Sequence, residues 1–184
     1  MWAHVIIDPI VSPEGRLLGF AKITRDRPDR KAMQVRLAHD ASHDPLTGLT
    51  NRAHLVAELD QRLASSFSAR DPLAVLFIDL YGFKRVNDSL GHSHGDDLLQ
   101  QAARRIADQL RPDDFVARIG GDEFVIMLPR LGADPGRAEA IATDVASRAI
   151  AATERPFHLS GQVIRISASI GVAVATESHK SGED

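Results

Sequence analysis

From Leu73 to Leu80 the chain is almost continuously apolar, which predicts a buried strand. Ahead of it, Leu55, Leu59 and Leu63 recur at helical spacing and predict a helix ending near Ser66. After it, a helical stretch is expected at Gly82–Leu90. A longer helix follows at about His94–Leu110, with Leu98, Leu99, Ala102, Ile106 and Leu110 on one face. Two apolar runs, Phe115–Ile119 and Phe124–Leu128, flank Gly120-Gly121 and predict a tight hairpin. A helix at about Pro135–Ala152 (Ala138, Ile141, Val145, Ala149) precedes strands near Phe157–Leu159 and Val163–Val174. At the other end, residues 3–11 and 16–24 are apolar and β-branched around the turn Ser12-Pro13-Glu14-Gly15. Two strands are marginal in water, so this hairpin is expected to belong to a larger sheet. Met33, Leu37 and Ala41, spaced by four, predict a linker helix over Asp29–His43. Its narrow stripe suits either a second copy of itself or a sheet.

The order from Leu73, strands and helices mixed, predicts an α/β (α+β) sandwich: a central mixed, mostly antiparallel sheet flanked by helices. A right-handed crossover from 73–80 through two helices to 115–119 makes those strands parallel. Asp79 and the Gly-Gly tip then share one edge of the sheet, so Asp79 and Asp122 are expected to converge.

Composition narrows the partners. The 184 residues are 43% hydrophobic and 26% charged, enough for one domain with a core plus an appendage. A formal charge of −3 and a pI near 6.2 argue against a nucleic-acid polymer and for a nucleotide-sized ligand. Cysteine is absent, which removes disulfides and thiolate metal sites. No apolar run approaches the roughly 20 residues that span a bilayer, and the N-terminus is a poor signal peptide. The chain is expected to be soluble and cytoplasmic, with no membrane contact of its own.

A glycine tip with carboxylates beside it lets phosphates approach the backbone and offers hard oxygen ligands. Taken alone, Gly120-Gly121 is an ordinary hairpin and Asp122 a solvated turn residue. Paired with Asp79, it suits Mg²⁺ carried by a polyphosphate, since that ion keeps waters and takes one or two protein carboxylates. Gly82 and nearby amides would admit phosphate oxygens, and Lys84 would neutralise charge there. Asn87, His92 and Asp96 follow; an amide and a carboxylate together can read the donors and acceptor of guanine. His92, His94, Asp96 and Asp97 also have zinc-ligand chemistry, although such loops are ordinarily solvated or cap a helix.

Residues 44–175 resemble the GGDEF domain of diguanylate cyclases. The resemblance rests on several motifs in order: Asp44-Pro45-Leu46-Thr47-Gly48-Leu49, Phe83-Lys84-Arg85-Val86-Asn87-Asp88, Gly91-His92, Gly95-Asp96, Arg118-Ile119-Gly120-Gly121-Asp122-Glu123-Phe124 and Ser169-Ile170-Gly171-Val172-Ala173. It implies a nucleotidyl-cyclase-like fold that joins two GTP into cyclic di-GMP and releases two pyrophosphates. Asp79, the Leu80 carbonyl and Asp122 would hold Mg²⁺ (or Mn²⁺). Asp122, a candidate to deprotonate the attacking hydroxyl, and Lys84 would be the catalytic side chains. Asn87 and Asp96 would hold guanine, with His92 nearby, and Phe83, Lys84 and Gly121 would line the rest of the substrate site. Each domain would hold one GTP, so a homodimer is part of the implied mechanism. Arg111 and Asp114 stand at the spacing of the family's RxxD site, where product binds and inhibits.

Through Asp8-Pro9-Ile10, Gly15-Arg16-Leu17-Leu18-Gly19-Phe20 and Thr24-Arg25-Asp26, residues 1–40 resemble the last strands and exit linker of a PAS sensor domain. The implied layout is sensor fragment 1–28, linker helix 29–43, catalytic domain 44–176 and polar tail 177–184. Two departures stand out. Tyr81 occupies a position where the family commonly has Asp or a small polar residue. The family's usual C-terminal helix, with its phosphate-contacting Lys, has no counterpart before Asp184, so one sheet face is expected to be exposed and the chain reads as a fragment. These departures keep an alternative open: a catalytically silent module that binds GTP or cyclic di-GMP and signals by association.

Overall fold

The computed structural model describes residues 3–13, 15–26, 33, 37, 39–69 and 72–175. The chain divides into two units, 1–41 and 42–184. The first holds an antiparallel hairpin of β1 (Ala3–Val11) and β2 (Leu17–Asp26). Along β1, Ile7 and Ile10 stand three residues apart and so point to opposite faces, and both are exposed. Each face therefore carries exposed apolar side chains among the described residues. Of the expected linker helix, His39–Ser42 are helical and Met33 and Leu37 are exposed; its other positions lie outside the described residues, as does the tail 177–184.

The second unit is an α/β sandwich. Its elements are β3 (Thr50–Asn51), α1 (Arg52–Ala69), β4 (Ala74–Tyr81), α2 (Phe83–Leu90), α3 (His92–Ala107), β5 (Phe115–Gly120), β6 (Glu123–Leu128), α4 (Pro135–Glu154), β7 (Phe157–Leu159), β8 (Gln162–Ile164) and β9 (Ser167–Val174). The five-stranded sheet runs β3-β5-β6-β4-β9, parallel only at β3–β5. Because β4 and β5 are both antiparallel to the intervening β6, they are parallel to each other, as the crossover requires.

Strand periodicity sorts the core. Ala74, Leu76, Ile78 and Leu80 of β4 are fully buried against Leu98, Leu99, Ala102 and Ile106 of α3 and Ala138, Ala142, Val145 and Ala149 of α4. The opposite face is covered by α1, whose Leu55 and Leu63 meet Ala117, Val125 and Met127. Towards β9 that face opens: Phe77 is 43% exposed and its partner Gly171 is exposed too.

The largest differences from expectation fall on the long helix and the last strand. The long helix begins at His92 rather than His94, because Gly91, at φ 88°, ends α2 and starts α3 without a loop. It ends at Ala107, where Gln109 and Leu110 turn back onto Ile106 and Ala107. The strand expected over Val163–Val174 is two: β8 pairs with β7, and β9 joins the main sheet after exposed Arg165 and buried Ile166. The bridge β3 was not expected, being two residues long in a turn-rich stretch.

Arg105 ties the back of the domain together. Its guanidinium donates to the carbonyls of Ala152, Arg155 and Pro156 at 3.2, 2.6 and 2.7 Å and lies 3.7 Å from the centre of the Phe157 ring. One planar fork thus serves the unpaired carbonyls at the end of α4 and anchors β7.

The two faces of β4 predict different costs. Leu76→Ala should lower unfolding free energy by about 2–5 kcal/mol. Phe77→Ala, on the open face, should cost less than about 2 kcal/mol. Urea unfolding of both variants checks the assignment; equal losses would contradict it.

Candidate active site

The register between β4 and β6 brings the carboxylates together. Asp79 stands opposite Glu123, and the Leu80 amide donates to the Asp122 carbonyl at 3.3 Å. Both aspartates are half-buried at the sheet edge. Asp122 belongs to the hairpin tip, where Gly120 and Gly121 take φ of 154° and 51° and are exposed. A side chain at Gly121 would be strained, so the tip stays bare.

Next to this edge, Gly82 (φ 99°) turns β4 into α2. No side-chain hydrogen bond caps the helix, which leaves its first amides to other partners, an arrangement suited to an anion. Phe83 is half-buried and Lys84 exposed in this first turn. One turn on, Asn87 buries its Oδ1 with no hydrogen-bond partner. An unpaired buried acceptor costs about 1–3 kcal/mol. His92 and Asp96, from the start of α3, are both exposed. His94 also buries Nδ1 without a hydrogen bond.

Arg118 is the residue that the motifs concealed. Its Nε and Nη2 donate to the Gly121 carbonyl at 3.0 and 2.8 Å, and its Nη1 donates to both carboxylate oxygens of Asp44 at 3.1 Å. Asp44 in turn accepts from the Thr47 amide and hydroxyl at 2.9 and 2.7 Å. The opening loop and the signature tip are thus held by one guanidinium. The available signal was an arginine on a strand that is otherwise apolar. Burial pushes the Asp44 carboxyl up, but the Thr47 bonds and the Arg118 guanidinium together outweigh it and hold the group below its ordinary 3.8.

Arg111 and Asp114 are brought together, though far from the tip. Asp114 accepts from the Arg111 amide at 2.8 Å, and its own amide donates to the Arg111 carbonyl at 3.0 Å. Arg111 is exposed, and the neighbouring Asp113 pairs with Arg130, which sits at φ 56°. This turn precedes β5 and the glycines end it, so six residues of strand, about 20 Å, separate the two.

Asp79 and Asp122 bring carboxylates to this edge, the donor type that a hard divalent cation takes. Among the described residues no group of three or more His, Asp or Glu could hold a metal. A nucleotide-borne Mg²⁺ does not need one, because substrate phosphates and waters complete its shell. Among the described residues no helix is long and apolar enough to cross a membrane.

A depressed carboxyl pKa contributes stability that is present above the unfolded value and lost as pH falls through the folded one. Arg118→Ala should therefore cost about 1–3 kcal/mol at pH 7, and the deficit should shrink below pH 3.8 as Asp44 is protonated. Unfolding of both proteins across that range tests it; a deficit independent of pH would show that Asp44 is not the partner that matters.

Comparison with known proteins agrees with this fold. Residues 41–184 match the family described as "Diguanylate cyclase, GGDEF domain". Diguanylate cyclase TpbB of Pseudomonas aeruginosa is 45% identical over 144 residues, covering 77% of this chain and 32% of that protein. The probable diguanylate cyclase DgcE of Escherichia coli is 36% identical over 181 residues, covering 98% of this chain and 16% of that protein. The chain thus spans a third or less of the length of these curated relatives. The coiled coil and GGDEF domain of DgcB from Caulobacter crescentus, solved in complex with c-di-GMP, superposes with a TM-score of 0.73 at 27% identity, covering 83% of this chain and 78% of that one. The chain belongs to the GGDEF domain family of diguanylate cyclases.

Proposed function

We propose that this domain condenses two GTP into cyclic di-GMP and two pyrophosphates, with Mg²⁺ (or Mn²⁺) and as a homodimer. The observation that carries the reading is the Asp79–Asp122 edge beside a bare glycine tip and an uncapped helix start. Asp79, the Leu80 carbonyl and Asp122 would hold the metal, which when bound neutralises the polyphosphate and orients it. The amides at the start of α2 and Lys84 bind phosphate oxygens, with Gly121 and Phe83 beside them. Asn87 and Asp96 take the guanine edge, and His92 lies close by. In each half-reaction a 3′-oxygen bonds to the other nucleotide's α-phosphorus, and the bond to pyrophosphate breaks. The hydroxyl proton passes to Asp122 and then to water. Most of the catalysis is positioning, because each GTP is both nucleophile and electrophile. Two bound nucleotides must face each other, which is why a second copy is required.

The Arg111–Asp114 turn serves as a product site. Arg111 offers an exposed planar fork, and the turn is already closed by Asp114. The β1–β2 hairpin, apolar on both faces, belongs to a PAS-like sensor sheet whose signal reaches the domain through the helix that ends before Asp44. The DgcE match extends across this segment. A GTP-consuming domain of this kind acts in the cytoplasm. A second reading is favoured by Tyr81, 69% exposed on the Asp79 face of β4, where a bulky ring crowds the phosphate side. On that reading the domain binds nucleotide and signals without turnover.

Incubation with GTP and MgCl₂ separates the two. The cyclase reading expects cyclic di-GMP and pyrophosphate, with specific activity rising with protein concentration. Asp79→Ala should lower the rate by more than about 100-fold. Nucleotide bound but never turned over would leave only the silent module. If the Arg111 turn is the product site, Arg111→Ala should raise the cyclic di-GMP concentration for half-inhibition by about tenfold while sparing the initial rate. An unchanged inhibition curve would remove that site.

A further inference from the structure

Gly95 lies in the first turn of α3, buried, and the backbone there gives no reason for a glycine. Alanine is the better helix former, so the reason is space. A Cβ at this position would stand 1.9 Å from Asn87 Oδ1, 2.8 Å from Asn87 Cγ and 3.2 Å from Phe83 Cε2. Among the described glycines, no other would meet an atom inside 3.0 Å. The contact is with the end of the side chain whose buried oxygen has no partner.

We propose that Gly95 is a positioning residue for nucleobase selection: its missing side chain lets the Asn87 amide lie against α3, in the one orientation that reads guanine. This rests on the nucleotide reading above, in which Asn87 meets the base. Guanine and adenine present opposite donor and acceptor patterns, so rotating an amide that matches one forfeits the preference. The Asn87 side chain turns about two torsions, and the clash is at its far end. A methyl at 95 therefore displaces the amide by rotation and asks only a few tenths of an ångström of the Phe83 ring. Folding survives while recognition does not. A purely structural glycine would behave in the opposite way, with stability falling and all nucleotides weakened alike.

Three variants of the 184-residue chain decide the matter: Gly95→Ala, Asn87→Ala and the double substitution, each titrated with GTP and with ATP at fixed MgCl₂ and melted. Gly95→Ala should weaken GTP binding about tenfold or more, leave ATP binding within about twofold and not lower the melting temperature. Asn87→Ala should do the same. In its background, Gly95→Ala should change neither affinity, since removal of the amide clears the space. An unchanged GTP-to-ATP ratio in Gly95→Ala, or additive losses in the double variant, overturns the proposal. Should Gly95→Ala fail to fold, the double variant must still fold like Asn87→Ala; if it does not, the strain lies elsewhere and the proposal fails. A parent chain that binds GTP and ATP equally removes the guanine reading itself, whereas a selective parent with an unaffected Gly95→Ala removes this inference alone.

Discussion

The pairing of β4 with β6 is the constraint on which the rest depends. Side chains alternate along a strand, so a slip of one residue would send Leu76 and Ile78 to the open face and carry Asp79 to the core side. The register that buries Ala74, Leu76, Ile78 and Leu80 is therefore the same one that sets Asp79 opposite Glu123 and pins the Asp122 carbonyl to the Leu80 amide. Packing and chemistry are not separable here. The apolar core specifies where the carboxylates stand.

Around that pair the polar parts are arranged by one-residue devices. Gly82 and Gly91 set where α2 begins and ends, Arg118 holds the tip to the opening loop, and Arg105 ends α4. Each removes the need for a longer loop. The consequence is that the candidate site is built close to the ends of regular elements, which hold geometry more closely than long loops.

Much of this was legible in the sequence. The apolar run at Leu73–Leu80, the stripes of α3 and α4 and the Gly-Gly hairpin follow from local periodicity, and parallel β4 and β5 follow from the handedness of crossovers. The convergence of Asp79 with Asp122 was also accessible, because topology alone sets it. What escaped depends on contacts between distant positions. Arg118 bonding Asp44 spans 74 residues, and Arg105 reaches carbonyls 47 to 51 residues away. The break of the last strand at Arg165 and Ile166 reflects a choice between two sheets, which alternation within one segment does not encode. Gly95 was read as a motif letter; its use is visible only against the Asn87 amide.

Strand β5 places the Arg111–Asp114 turn and the glycine tip at opposite ends of one six-residue segment. The turn closes on itself through Arg111 and Asp114, whereas Arg118 and Asp44 hold the tip, so the two ends share none of these side chains. If these ends serve feedback and synthesis, they can be lost or kept independently over evolutionary time. A lineage could shed restraint while keeping output, or retain a product sensor after its chemistry has decayed. On that assignment the fold would separate the two traits along one short stretch of its own polypeptide.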